Sequence, residues 1–119
     1  MDIARSEWTR AWARRVLGSA YDDYLQSKDE KTRAENFTRL WMRLSEESRR
    51  RKIAGSQVLD LLGPPALWAS DLGNTRLIYF YYYEKVRKEI IIDVDSSGDI
   101  SLIGFNTAGV NQWGPSYHH

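Results

Sequence analysis

The run Gly55-Ser56-Gln57-Val58-Leu59-Asp60-Leu61-Leu62-Gly63-Pro64-Pro65 decides the fold, together with two runs downstream of it. These are Leu77-Ile78-Tyr79-Phe80-Tyr81-Tyr82-Tyr83 and Glu89-Ile90-Ile91-Ile92-Asp93-Val94-Asp95. The first run is a short apolar helix with a hard stop. Gly63 suits the left-handed position that ends a helix, and Pro64 and Pro65 cannot continue one. The other two runs are rich in aromatic and β-branched residues and read as strands, Arg76–Tyr83 and Val86–Asp95. Glu84-Lys85 allows a tight hairpin between them. Ser96-Ser97-Gly98-Asp99 is a turn, and Ile100–Phe105 makes a third strand. Residues 66–75 read as a loop in which Leu67 and Trp68 return to the core. A meander of three antiparallel strands is the simplest connection.

Upstream, Ile3–Gln26 reads as one helix with the stripe Trp8, Trp12, Val16 or Leu17, Tyr21, Tyr24 and Leu25. Gly18-Ser19 weakens its middle and allows a kink. Ser27-Lys28-Asp29-Glu30 has the form of a capping box. A second helix follows, about Asp29 to Arg51, with the stripe Ala34, Phe37, Leu40 or Trp41, and Leu44. The short link predicts a helical hairpin. The expected fold class is therefore α+β: an N-terminal helical hairpin plus a short third helix packed on a three-stranded antiparallel β-meander. It forms one domain over 1–119, with the hairpin in 1–53, the short helix and sheet in 54–105, and a loose tail in 106–119.

Strand alternation assigns faces. Ile78, Phe80, Tyr82, Ile90, Ile92, Val94, Ile100 and Leu102 form the expected apolar face toward the helices. Tyr79, Tyr81 and Tyr83, beside Asp93 and Asp95, form the outward face. Exposed tyrosines offer large contact area at low entropic cost, so this face is the candidate partner-binding surface.

Bulk composition narrows the chemistry. The chain has 119 residues and no cysteine. That excludes disulfides, thiol nucleophiles and Cys-based metal sites. Its two histidines, His118 and His119, end the chain and read as a tag remnant or a loose end, so Ser-His-Asp and zinc sites are not expected. No cofactor is called for. Asp60, Asp71, Asp93, Asp95 and Asp99 leave a carboxylate enzyme as one alternative function. No apolar run spans a bilayer, and no signal peptide precedes the first helix. The chain reads as cytoplasmic as it stands, or periplasmic if a leader has been removed.

Net charge is +1, which argues against tight nucleic-acid binding. The charge is unevenly spread, however. Residues 1–55 hold 13 Lys and Arg against 9 Asp and Glu, a balance of +4; residues 56–119 hold 4 against 7, a balance of −3. Arg49-Arg50-Arg51-Lys52, extended by Arg10, Arg14, Arg39 and Arg43, is the alternative site, where phosphates would bind.

The helix closed by Leu62-Gly63-Pro64-Pro65, the tyrosine-rich strand, the strand ending Asp93-Val94-Asp95 and the turn at Gly98 resemble the SmpA/OmlA family of outer-membrane assembly lipoproteins. The wider fold group includes β-lactamase-inhibitor-like domains. The likeness covers about residues 53–105. It implies two helices on a three- or four-stranded antiparallel sheet, no catalytic role, and a protein as partner. The family's lipid-bearing cysteine has no counterpart here, and residues 3–51 form a longer helical lead than the family's. Partner identity and oligomeric state are not encoded in any motif.

Overall fold

The computed structural model describes residues 3–83 and 85–107. The tail from 108 onward, with His118 and His119, lies outside them. The chain divides into two compact units, Met1–Arg51 and Lys52–His119.

The first unit is helical: α1 (Ile3–Leu17), α2 (Ala20–Leu25) and α3 (Glu30–Ser48). The single helix expected over 3–26 is two helices. Gly18 takes the left-handed conformation, with φ of 67°, and ends α1. Arg14 spans the break, its Nε 2.7 Å from Asp22 Oδ2. The expected stripe is also shifted. Ala13, Val16, Leu17, Ala20 and Tyr21 are buried, whereas Trp8 is 81% exposed. Ala13 and Ala20 thus join Val16, Leu17 and Tyr21 of the expected stripe, and Trp8 and Leu25 leave it.

The cap of α3 is Asp29 rather than Ser27. Asp29 accepts from the Thr32 amide at 2.8 Å and the Thr32 hydroxyl at 2.9 Å. These bonds hold its carboxyl below the usual range. Ser27 serves the α2–α3 joint. Its hydroxyl donates to the Asp23 carbonyl, and the buried Asn36 Nδ2 donates to both Ser27 Oγ and that carbonyl. The α3 stripe Ala34, Phe37, Leu40, Leu44 is buried as expected.

The second unit begins with α4 (Gly55–Leu62) and continues as β1 (Leu67–Asp71), β2 (Asn74–Tyr83), β3 (Val86–Val94) and β4 (Ile100–Thr107). The sheet has four antiparallel strands in the order β1-β2-β3-β4, not three. The missed strand is β1, inside the expected loop 66–75. It turns into β2 through Leu72 and Gly73, with φ of 52° and 85°. Two consecutive left-handed residues make the tight hairpin turn that matches strand twist. Leucine rarely takes that conformation, which hid the turn. The hairpin at 84–85 forms as expected, with Tyr83 paired to Val86.

Helix α4 lies across one face of the sheet and is pinned at both ends. At its start, the Gly55 amide donates to the Gly98 carbonyl and the Ile100 amide to the Ile53 carbonyl, both at 2.8 Å. Its N-cap is Ala54, and Gln57 Oε1 accepts from the Ala54 amide. At its end, Gly63 has φ of 77° and accepts from the Tyr79 hydroxyl at 2.8 Å.

Two substitutions probe these units. A Cβ at Gly55 would stand 3.0 Å from both Val94 methyls. Valine cannot swing such a methyl away without leaving its rotamer, so Gly55→Ala should cost about 1–2 kcal/mol by overpacking. The double variant with Val94→Ala should recover part of that in denaturant titration; simple additivity would refute the contact. In the first unit, Glu47 is 2% exposed and pairs with Arg43, Arg50 and Arg51 at 3.2 Å each. Its removal frees arginines that can turn to water, so Glu47→Ala should cost about 1–3 kcal/mol. Each single arginine-to-alanine change should cost less than about 1 kcal/mol, because two partners remain.

Candidate functional site

Cross-strand register decides which side chains share a face, since directly opposed residues point the same way. Tyr79 stands opposite Ile90, and Ile90 opposite Phe105. Tyr81 stands opposite Lys88, and Leu77 opposite Ile92. The tyrosine face is thus the aliphatic face, and it is the one α4 crosses. The acids lie on the reverse. Asp93 opposes Arg76 and Glu89 opposes Phe80, alongside Ile78 and Ile91. This reverses the expected division into an apolar face and a tyrosine–acid face. The alternation expected within β2 and within β3 holds, but the two strands combine in the opposite phase. Carrying the Tyr83–Val86 turn through the ladder would have set it.

A second phase change occurs in β4. Asp93 pairs with Leu102 and Val94 with Ile100, so Ser101 is an extra residue. Such a bulge shifts the alternation by one. Ile100 is buried, while Leu102 is 57% exposed. Ser101 donates to the Asp93 carbonyl at 3.2 Å.

The expected partner-binding residues separate accordingly. Tyr79 is 5% exposed, with its hydroxyl committed to Gly63. It is a strut under α4, and burial pushes its phenol above the usual value of 10.0. Tyr81 is half-buried on the same face, one step past the end of α4. Tyr83 lies in β2, but its side chain is outside the described residues. Asp93 makes a two-pronged pair with Arg76 on the reverse face, at 2.7 and 3.0 Å. Asp95 closes the β3–β4 turn, accepting from the Ser97 and Asp99 amides at 2.9 and 3.1 Å. Both acids are used by the fold itself.

Three residues join Tyr81 that were not among the expected contact residues: Val86, Lys88 and Phe105. Phe105 is 50% exposed and Val86 41% exposed. Lys88 holds its ammonium 6.0 Å from the Phe105 ring centre, within cation–π range. Tyr81, Val86, Lys88 and Phe105 occupy the β2–β3 hairpin end of the tyrosine face, past Tyr79.

The alternative phosphate site is differently placed. Arg49, Arg50, Arg51 and Lys52 are exposed around the end of α3. Arg50 and Arg51 hold Glu47, as does Arg43. Arg10 and Arg14 pair with Asp22, and Arg39 with Asp23. Among the described residues no group of three or more His, Cys, Asp or Glu side chains is gathered as a metal site would need. No described helix is long and apolar enough to cross a membrane.

Compared with family models, curated proteins and solved structures, the chain gives no match.

The buried phenol has a titration consequence. An unfolded tyrosine loses its proton near pH 10, while Tyr79 in the folded chain holds its proton to higher pH. The native state therefore binds more protons above that pH. The contribution of Tyr79 is complete below about pH 10 and is lost as pH rises beyond it. Tyr79→Phe should cost about 0.5–1.5 kcal/mol at neutral pH through the lost hydrogen bond. It should also flatten the alkaline fall in stability. An alkaline profile identical to that of the parent chain would contradict the strut assignment.

Proposed function

We propose that this chain is a non-catalytic protein-binding module. Its contact surface is the hairpin end of the tyrosine face: Tyr81, Val86, Lys88 and Phe105. The observation that carries the reading is the exposure of Phe105 and Val86 on the same side as Tyr81, past the end of α4. Exposed aromatic residues clustered on a rigid sheet are the usual anchors of protein recognition. The surface is narrower than the full tyrosine row, because Tyr79 supports α4. Asp93 and Asp95 are not part of it, because they serve the ladder and the turn. Lys88 gives it a positive rim, which suits a partner segment mixing apolar and acidic side chains.

Other functional classes find less support. A carboxylate enzyme would need acids converging with spare valence, whereas Asp93 and Asp95 bind Arg76 and backbone amides. A phosphate-binding role would need cations aimed outward, whereas Arg10, Arg14, Arg39, Arg43, Arg50 and Arg51 each bind a carboxylate. The likeness of residues 53–105 to the SmpA/OmlA group also favours binding over catalysis.

The test is retention of a partner from an extract of the source organism, using parent and variant chains as bait. Tyr81→Ala and Lys88→Glu should each lower retention of the same protein at least tenfold, with thermal midpoints near the parent's. Full retention by both variants would remove the proposal. So would loss by Arg49→Ala/Lys52→Ala instead.

A further inference from the structure

The two outer strands of the sheet differ in how they meet solvent. β1 has five residues, follows Pro64-Pro65 and ends in Asp71. Shortness, proline and charge are the usual means of blunting a sheet edge. β4 has eight residues, Ile-Ser-Leu-Ile-Gly-Phe-Asn-Thr, with no charge and no proline. Its start is occupied, since Ala54 bridges Asp99 and the Ile53–Gly55 segment bonds Gly98 and Ile100. Beyond the bulge, Leu102–Thr107 has β3 as its single strand neighbour among the described residues.

Gly104 sits in the middle of that run. Glycine weakens a strand, and inside one it often marks close approach of another backbone. Among the described residues nothing requires it. A Cβ there would meet none of their atoms within 4 Å, and its φ is not left-handed. The close approach is therefore expected from outside the described residues.

The charges select the visitor. The β3–β4 turn end of the strand carries Asp95 and Asp99. The other end carries Lys85 and Lys88, with Glu84 between Tyr83 and Lys85 in sequence and with Arg87 paired to the buried Glu89. The flanks of the uncharged β4 thus run from acidic to basic, with exposed Lys52, next to the Ile53–Gly55 segment, as a cation at the acidic end. An antiparallel copy of the same strand would place each acidic end beside the other copy's basic end.

The geometry points to a second copy of this chain as the occupant of the β4 edge, paired antiparallel about Gly104. Gly104 then faces Gly104 of the other copy, and Ile103 faces Phe105. The 98–100 segment is already bonded to 53–55, and the pairing runs over Leu102–Asn106, with Leu102 opposite Asn106. An interface of this size falls below the roughly 1,200 Å² of a stable complex. The dimer is accordingly weak, dependent on concentration and sensitive to salt.

The absence of cysteine permits a direct test. Paired Cα atoms in an antiparallel ladder lie about 4.5–5.5 Å apart, within disulfide reach. Gly104→Cys, oxidised mildly at high protein concentration, should give mostly disulfide dimer, whereas Leu72→Cys, an exposed control, should not. Sedimentation of the parent chain should show a monomer–dimer equilibrium that weakens severalfold at high salt. Leu102→Lys, which places charge on the edge from an exposed position, should weaken it at least tenfold without lowering the thermal midpoint. A parent chain that stays monomeric at every concentration overturns the assignment. Gly104→Cys crosslinking no faster than the control does so too, as does a monomer whose β4 edge amides resist hydrogen exchange. Phe105 belongs to both surfaces, whereas Leu102 and Gly104 lie on the reverse face from Tyr81, so Leu102→Lys and Tyr81→Ala report on the edge and on the partner surface separately.

Discussion

The fixing of α4 at both ends is the constraint on which the second unit depends. One end is a close fit, Gly55 beneath the Val94 methyls, with backbone bonds from Gly55 and Ile100 beside it. The other end is one hydrogen bond, from the Tyr79 hydroxyl to the Gly63 carbonyl. That carbonyl belongs to a helix terminus and has no partner within the helix. The phenol supplies the partner and is buried in doing so. A buried hydroxyl without an acceptor would be costly, so each group removes the other's liability. The helix therefore ends over Tyr79 and covers the row of Leu77, Tyr79, Ile90 and Ile92. Past Tyr79 on that face, Val86 and Phe105 are exposed and Tyr81 is half-buried. The position of a helix stop thereby sets the limit of an exposed surface.

A second local irregularity has effects of similar reach. The bulge at Ser101 lets the last strand serve two environments. Ile100 turns inward near the start of α4, and Leu102 turns out on the reverse face. Without the extra residue, both would point the same way, and one environment would receive the wrong side chain. The bulge also bends the edge where the Ile53–Gly55 segment bonds to it. The protected and unprotected parts of β4 are thus divided at the residue that breaks its alternation.

Much of this architecture was legible in the sequence because its signals are local. Gly63-Pro64-Pro65 ends a helix for steric reasons that hold in any context. The stripe of Ala34, Phe37, Leu40 and Leu44 has one period and one meaning. The hairpin at 84–85 follows from two strands with two residues between them. What failed required information from elsewhere in the chain. β1 was hidden because Leu72 adopts a conformation that leucine rarely takes. The sheet faces were misassigned because alternation gives two sets per strand and does not say which sets coincide. Helical spacing predicts the pairing of Glu47 with Arg50 and Arg51, and the structure shows it, but the burial of Glu47 gave no signal. An acid beside three cations near a helix end reads as solvated, and burial of its carboxylate depends on Arg43, Arg50 and Arg51 converging on it. Of the candidate site, Tyr81 was legible, whereas Val86, Lys88 and Phe105 came into view with the register.

The distribution of charge explains why recognition falls to apolar atoms. The basic excess of residues 1–55 reads in sequence as a positive surface. In the structure those arginines hold the unit together. Arg14 bridges the α1–α2 break, Arg39 reaches from α3 to Asp23, and three arginines surround Glu47. Arg33 lies over the Tyr24 ring and donates to its hydroxyl. Cations paired in this way give up part of their long-range field, and salt screens most of what remains. The sheet treats its acids similarly, with Asp93 on Arg76, Glu89 on Arg87 and Asp95 on turn amides. Arg87 also lies over the Phe80 ring on that reverse face. Charge that is already used internally has little left with which to select a partner. The exposed ring of Phe105, with the lysine above it and Tyr81 close by, is on the opposite face from the Arg76–Asp93 and Arg87–Glu89 pairs. A surface of this kind attracts by contact area first and by charge second.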